Sequence, residues 1–551
     1  MIKKEIKTYK IINLLLFSAF FLIGLFTFKD YGISIDEEFQ RSSGFYWLNY
    51  ILSFTSFENL KNSASDIMSQ IGGFTLPSVE NNLPYGVIFD VPTAFLETIF
   101  EIKDSKDFFH LRHFINFIFF FLSSIFFFKI LINRFSNTYI ATMGTLFYVL
   151  SPRIYGHSFY NNKDIIFLSL LTIAIYFCFK VFDKTNFKNL FLFSLFAAIC
   201  TCSRILGIFI IITFLIFYFF SMVSSKKKFN NFLKVFIFLI SYCFLIILFW
   251  PFLWSAPFEN FIFAFKYFSS FPLHLKMIFN GNLISSHSLP SNYIFLWIFI
   301  TTPFLYTALF IFGYIKIFRR FFLRFLNIEE NKIYDDFWRG INEKKDLFIL
   351  FNITVVILYL VSFNTPLYSG WRHVYFLNVF IIYISIIGFY QIGIFLNRKF
   401  KKNYHYHISL IFLMFIIYKM ILIHPFQNIY FNNYLNNISH SNFEIDYWGL
   451  SGKKFLKKTL DLEKNKNIVN IGVASWLPLA RSARLLEKDE IKRLKFVEKN
   501  FDEADYIYTN FISEVDKNFD YKYKIPSNFI KIDEFILDNI KVYEVFKKNN
   551  D

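Results

Sequence analysis

Charge, glycine and proline are all scarce in this chain. Only 18% of its 551 residues are Asp, Glu, Lys or Arg, with 18 Gly and 13 Pro, where a soluble domain carries roughly a quarter charged residues. With 55% hydrophobic residues and a mean hydropathy of +0.41, the solvent this composition fits is a bilayer. Cysteine is scarce too. Cys178, Cys200, Cys202 and Cys243 all fall in apolar runs, with no CxxC or metal-ligand spacing, which excludes a disulfide scaffold and a zinc module. P-loop, GxGxxG and haem motifs are absent, as is any internal repeat. No A-x-A-like cleavage site follows the N-terminal MIKKEIKTYK, so the apolar run behind it reads as a retained span rather than a signal peptide.

Positive charge is abundant, at a net +17. The Lys and Arg sit in short clusters between apolar runs, the places of cytoplasmic flanks, which argues against a nucleic-acid surface. The 84 Phe, alongside much Ile, Asn, Lys and Tyr, are what AT-rich codons supply, and no binding surface follows from them.

A crossing needs about 20 apolar residues, and the flanking charges set its direction. The sequence predicts about eleven spans, near 11–28, 112–132, 138–151, 165–181, a hairpin of two over 189–222, 232–254, 293–315, 347–363, 374–396 and 407–423. The hairpin follows from length and charge. At 1.5 Å per residue its helix is too long for one crossing, and Lys184 and Lys188 at one end with Lys226, Lys227 and Lys228 at the other both favour the cytoplasm. Arg204 then marks its outer turn. WPFLW at 250–254 suits an interface, and FENFIFAFKYF after it reads as an amphipathic surface helix. The long loop 29–110 is acidic and lies outside; GGF and NNLPYGVIFD within it would form a lid or acceptor groove. An odd number of spans leaves the tail outside, where IVNIGVA, DYIYTN and the pair FIKIDEFIL/IKVYEVFKK read as strands and LPLARSARLLEK as a helix. The expected architecture is therefore an α-helical polytopic membrane domain over 1–425 and a small extracytoplasmic α/β domain over 426–551.

This ordering gathers the unusual polar residues on one face: SIDEEFQ after the first span, SPRIYGHSFYNNKD at 151–164, Arg204, and YSGWRH at 368–373. Ionisable groups at a membrane edge are costly and mark function. Asp36 and Glu37 are candidates for a carboxylate base toward a hydroxyl acceptor, against the plain reading of an acidic solvated loop. Asp164 is either a helix cap or a site residue. Lys163 beside it would bind an anion near a helix N-terminus. Arg153, His157, Lys163, Arg204, Arg372 and His373 would surround an anionic headgroup, although interfacial snorkelling explains any one of them. Arg112 and Asn116 share a helix face and either line the same cavity or anchor the helix.

These segments, with HPFQNIYFNNY and FEIDYWGLS within 424–451, resemble the GT-C glycosyltransferases, in particular the bacterial family 39 group related to protein O-mannosyltransferases and lipid A aminoarabinose transferases. The resemblance implies inverting transfer of a sugar from a polyprenyl-phosphate carrier to an acceptor outside the cytoplasmic membrane of a bacterium. It implies Asp36 as general base with Glu37 as neighbour or alternate. Lys163, Arg372 and His373 would hold the donor phosphate, with Arg153 and His157 behind them. Asp36, Glu37, Asp164 and His157 would be the ligands of a divalent metal if one bound, but no ligand spacing calls for it and no metal is predicted as required. The rival reading, a transporter or flippase of lipid-linked sugars, would call for inverted repeats and broken helices. An anchored assembly protein would leave the polar loops unexplained.

Topology reporters fused after residues 225, 290, 340 and 450 are expected to read inside, outside, inside and outside. A cytoplasmic tail would break the assigned order of spans.

Overall fold

The computed structural model describes residues 2–69, 79–223, 228–269, 271, 274–326, 337–401, 404–432, 438–512 and 520–549. GGF at 72–74 and the basic residues Lys226, Lys227 and Lys402 lie outside them. The protein is a multi-pass helical membrane protein. Among the described residues seven helices are long and apolar enough to cross a bilayer, over 105–135, 164–183, 205–222, 232–249, 341–362, 377–400 and 404–422, with shorter apolar helices over 11–27 and 187–203.

The chain enters through α1 (Ile2–Thr27) and then builds three helices from the acidic loop, α2 (Glu37–Leu52), α3 (Glu58–Ser69) and α4 (Asp90–Ile99). The next crossings are α5 (Ser105–Phe135) and the short α6 (Thr138–Val149), which turns into α7 (Pro152–Tyr160). The first part of SPRIYGHSFYNNKD is thus a buried helix and not a loop, started by Pro152 at its first turn, where the missing N–H costs nothing. Next come α8 (Asp164–Asp183), α9 (Phe187–Ser203), α10 (Ile208–Val223) and α11 (Lys228–Phe249). The expected hairpin is present, with Arg204 in extended conformation between its helices.

The amphipathic segment forms α12 (Pro257–Ser269) and leads into the hairpin β1 (Lys276–Phe279) and β2 (Asn282–Ser285). The span expected near 293–315 is instead broken into α13 (Tyr293–Thr301) and α14 (Phe304–Leu326). Pro303 is the cause, because it lacks an N–H and drives the residue before it out of the helical region; Thr302 has φ −102° and ψ 139°. The interrupted backbone is satisfied from elsewhere. Asn432 gives its N–H to the Ile300 carbonyl at 2.9 Å and its side-chain amide to that of Thr302 at 3.0 Å. The crossings end with α15 (Ile341–Ser362), α16 (Leu377–Phe400) and α17 (Tyr404–Leu422).

The tail is an α/β domain. Helix α18 (Gly452–Leu462) precedes β3 (Val469–Val473), a 3-10 helix over Leu479–Leu485, α19 (Lys488–Lys492), β4 (Leu494–Glu498), β5 (Tyr506–Thr509), β6 (Phe529–Leu537) and β7 (Ile540–Lys548). The sheet order is β4-β3-β5-β7-β6, with β3 parallel to β4 and β5 and the last hairpin antiparallel. Asp538 and Asn539 make the hairpin turn, both at positive φ, as a tight two-residue loop requires. The helix expected over LPLARSARLLEK is the 3-10 helix Leu479–Leu485, and α19 and β4 are additional elements.

At the end of the helices opposite Asp164, four of them are tied by one carboxylate. Asp346 of α15 is fully buried and accepts from Arg134 at 2.6 and 2.8 Å, Arg320 at 2.8 Å and the Tyr383 hydroxyl at 3.0 Å. Removing one partner of a buried ion cluster leaves uncompensated charge, at a cost of about 3–5 kcal/mol. Asp346→Ala is expected to lower the melting temperature in detergent clearly. An unchanged melt would mean that Arg134 and Arg320 reach water without it.

Candidate active site

The residues singled out on the loops converge at one end of the bundle, around a single guanidinium. Arg372 lies in a 3-10 turn just before α16, and its Nη1 is 3.1 Å from Asp36 Oδ2 and 3.6 Å from Asp164 Oδ2. The guanidinium lies 5.0 Å from the ring centres of both Tyr368 and Trp448. Burial alone would lower its pKa, but Asp36, Tyr368 and Asp164 together hold it above the usual arginine value. Arg372 therefore stays charged at any working pH.

Asp164 opens α8, yet its side chain does not cap that helix. It pairs with Arg204 and accepts the Asn161 amide at 2.9 Å. Its carboxylate is thus engaged by Arg204, Arg372 and Asn161 rather than by the first turn of α8. Asp36 stands at the start of α2 with its side chain 34% exposed. The two acids after it differ sharply. Glu37, 1% exposed, accepts the Ser34 N–H at 2.6 Å and faces His113 Nε2 at 2.9 Å. Its oxygens are engaged by the protein, which leaves Asp36 as the acid open to an entering molecule.

His157 sits at the centre of a buried polar cluster. Asn161 accepts the Asp164 N–H through Oδ1 at 3.0 Å, so its Nδ2 is the donor, directed at His157 Nδ1 at 3.1 Å. The imidazole proton then lies on Nε2, 3.1 Å from the Tyr447 hydroxyl and 3.2 Å from that of Tyr375. Burial, reinforced by Arg153 and Arg372, pushes the His157 pKa well down, so it is a neutral donor and not a cation. His373 is held neutral in the same way, by burial and then Arg372.

Two expected anion binders, Lys163 and Arg153, are placed differently, and Arg112, read from the sequence as a cavity residue or a helix anchor, is paired as well. Lys163 is already neutralised by Asp90 at 3.0 Å and also donates to the Gly86 carbonyl; NNLPYGVIFD thus closes over Lys163 instead of leaving it open. A side chain at Gly86 would collide with the Cys202 carbonyl, which explains the glycine at this close approach. Arg153 is buried against Phe431 and Trp297 and gives its Nε to the Tyr430 carbonyl at 2.9 Å. Arg112 pairs with Glu97 at 2.6 Å, and Arg41 shares that carboxylate at 2.7 Å. Arg112 is therefore an anchor, while Asn116 braces α7 by donating to the His157 carbonyl at 3.4 Å.

Tyr368, Tyr375, Tyr447, Trp448, Asn161 and Asp90 complete the site and were not expected from sequence. Trp448 and Tyr447 belong to FEIDYWGLS, part of the resemblance, but an aromatic among so many gave no separate signal. Among the described residues no group of three or more His, Cys, Asp or Glu side chains is placed to hold a metal ion.

An Arg between two carboxylates, one of them partly exposed, with aromatic residues packed around it, suits an anionic ligand. Residues 91–254 match the family model described as dolichyl-phosphate-mannose-protein mannosyltransferase. That segment carries Arg112, Arg153, His157, Lys163, Asp164 and Arg204, so the resemblance read from the sequence is borne out over it. Asp36, Arg372 and His373 lie outside it. Among solved structures, the chain is similar to ArnT from Cupriavidus metallidurans in the apo state and bound to undecaprenyl phosphate. Each is 10% identical, with 97% of each chain covered and TM-scores of 0.45 and 0.42. No curated protein sequence matches the chain.

Glu444 adds a titratable group to this site. Burial raises its pKa from 4.5 to about 8, with Arg372 pulling the other way. The folded protein therefore favours its neutral form, a contribution present below pH 4.5 and lost as pH rises through 8. Glu444→Gln is expected to remove part of the fall in detergent melting temperature between pH 5 and 9. Superimposable wild-type and variant pH curves would contradict this.

Proposed function

We propose that the protein is a membrane glycosyltransferase that moves a sugar from a polyprenyl-phosphate-linked donor to an acceptor hydroxyl on the outer side of a bacterial cytoplasmic membrane. The reaction inverts the anomeric centre, with Asp36 as general base. The observation that carries this reading is the contact between Asp36 and Arg372, a candidate base and a candidate phosphate ligand within 3.1 Å at the membrane edge. The family description matched by residues 91–254 supports it, since its sugar rides on a lipid phosphate.

The arrangement supplies a logic for ordering the steps. The carboxylates of Asp36 and Asp164 balance Arg372 and Arg204. A donor phosphate arriving at Arg372 competes with Asp36 for the same guanidinium. Asp36, released from its partner, is then free to turn toward the acceptor hydroxyl and take its proton. Arg372 meanwhile stabilises charge growing on the departing lipid phosphate, an interaction strongest in the transition state. The neutral His157, through Tyr447 and Tyr375, fixes the walls of the pocket without adding charge.

An inward N-terminus and outward tail complete the reading, as the charge order of the loops implies. Domains 1–425 and 426–551 would then be the membrane catalytic part and its extracytoplasmic partner, with no metal required.

Asp36→Asn is expected to cut sugar transfer by roughly 10²–10⁴-fold, the range of a lost general base, while leaving expression and elution in detergent unchanged. Rates are to be read on purified protein with a panel of decaprenyl-phosphate hexoses and pentoses. Full turnover by that variant would sink the assignment of the base, and no turnover of any donor by the wild type would sink the function.

A further inference from the structure

We infer that the C-terminal domain sets the position of the Asp36 carboxylate, acting through Glu38; this rests on the reaction proposed above. Three consecutive acids open α2, and each is engaged by a different part of the protein. Asp36 faces Arg372. Glu37 is fixed to α5 through His113. Glu38 points toward the tail, where its two oxygens lie 3.0 Å from Arg481 Nε and 2.9 Å from Arg484 Nη1. Both arginines belong to the 3-10 helix Leu479–Leu485.

Glu38 is 3% exposed and the Arg481 side chain 8%, so this is a buried ion cluster whose disruption strands a charge. Pairs at the rim between exposed side chains, such as Lys488 with Asp104 at 3.3 Å, contribute far less. Around the cluster the two parts are fitted together. Ser105 donates to the Arg484 carbonyl at 2.8 Å, and Leu485 packs with Ile33, Phe108 and Phe109.

The geometry makes Glu38 a positioning residue. Asp36 is the residue before the first turn of α2, and its carbonyl accepts the Gln40 N–H at 3.1 Å, so any rotation of that turn carries the Asp36 backbone with it. Glu37 fixes the turn on one side and Glu38 on the other. With only one anchor left, the turn can pivot, and Asp36 loses its register with the acceptor. Arg372 and Arg204, which would meet the donor phosphate, and Asp164, which pairs with both, lie on other elements and keep their places.

The test compares wild type, Glu38→Gln and Arg481→Gln/Arg484→Gln as purified full-length proteins, using the decaprenyl-phosphate sugar that the wild type turns over. The expected result is a fall in kcat of about 10²-fold, the scale of an ångström of misplacement, with the donor KM within about twofold of wild type. A merely structural role would lower the amount of active protein and leave the kcat of the surviving fraction, titrated by tight donor binding, unchanged; that result overturns the inference. So does an equal rise in KM. If the double variant does not elute as a folded species, the single Arg484→Gln change at the part-exposed end decides. Lower kcat at constant KM supports the inference and wild-type kcat overturns it. Loss of turnover in Asp36→Asn with wild-type kcat in all three variants would leave the proposed reaction standing and remove only this inference.

Discussion

Arg372 is shared between Asp36 and Asp164 in a place where water reaches only one edge, and much of the molecule is arranged to make that tolerable. A buried guanidinium without partners would be prohibitively costly, and so would either carboxylate. The pairing therefore holds three segments that are distant in sequence, the start of α2, the start of α8 and the turn before α16, within one small volume. The guanidinium carbon lies over the rings of Tyr368 and Trp448, and its weak hydration favours such aromatic contact. Each of these groups constrains the others, so a ligand that takes Arg372 changes the surroundings of both acids at once.

Charge in the helical part is layered. One layer surrounds Arg372, and another surrounds Asp346, where the last turn of α5 and the first turns of α15 meet α14 and, about two turns in from its start, α16. Such layering is what a bilayer imposes, because charge at mid-depth is costly. The two layers differ in kind. Around Asp346 the cations outnumber the acid they surround and two further residues of opposite sign, Lys345 and Asp183, pair beside them, which suits a structural tie. Around Arg372 one carboxylate stays partly exposed, which suits chemistry.

Much of this was legible in the sequence, for reasons tied to particular residues. Lysine flanks revealed the α9–α10 hairpin and the place of Arg204, because the cost of moving charge across lipid is large and independent of packing. Asp538-Asn539 revealed the last hairpin through turn chemistry. What was not legible depended on tertiary partners. Nothing local distinguishes Lys163, neutralised by Asp90, from a lysine awaiting an anion, or Glu37, saturated by Ser34 and His113, from the open Asp36. Whether Arg112 lines a cavity or anchors its helix was open until Glu97 lay beside it. The break at Pro303 was readable in principle, but a continuous apolar run on both sides concealed it.

That break has a consequence for how the protein is divided. The backbone groups it frees are met by Asn432, and the stretch before Asn432 is buried, with Tyr430 receiving Arg153 and Gln427 facing Tyr31 at 3.0 Å. The border expected at 425/426 therefore falls inside a woven seam, not in a tether. Tail and membrane part share the residues that complete each other's backbone, so in evolution they would be exchanged between relatives only together, and a graft joined at that border would arrive with a hole in its helix and an arginine without its carbonyl.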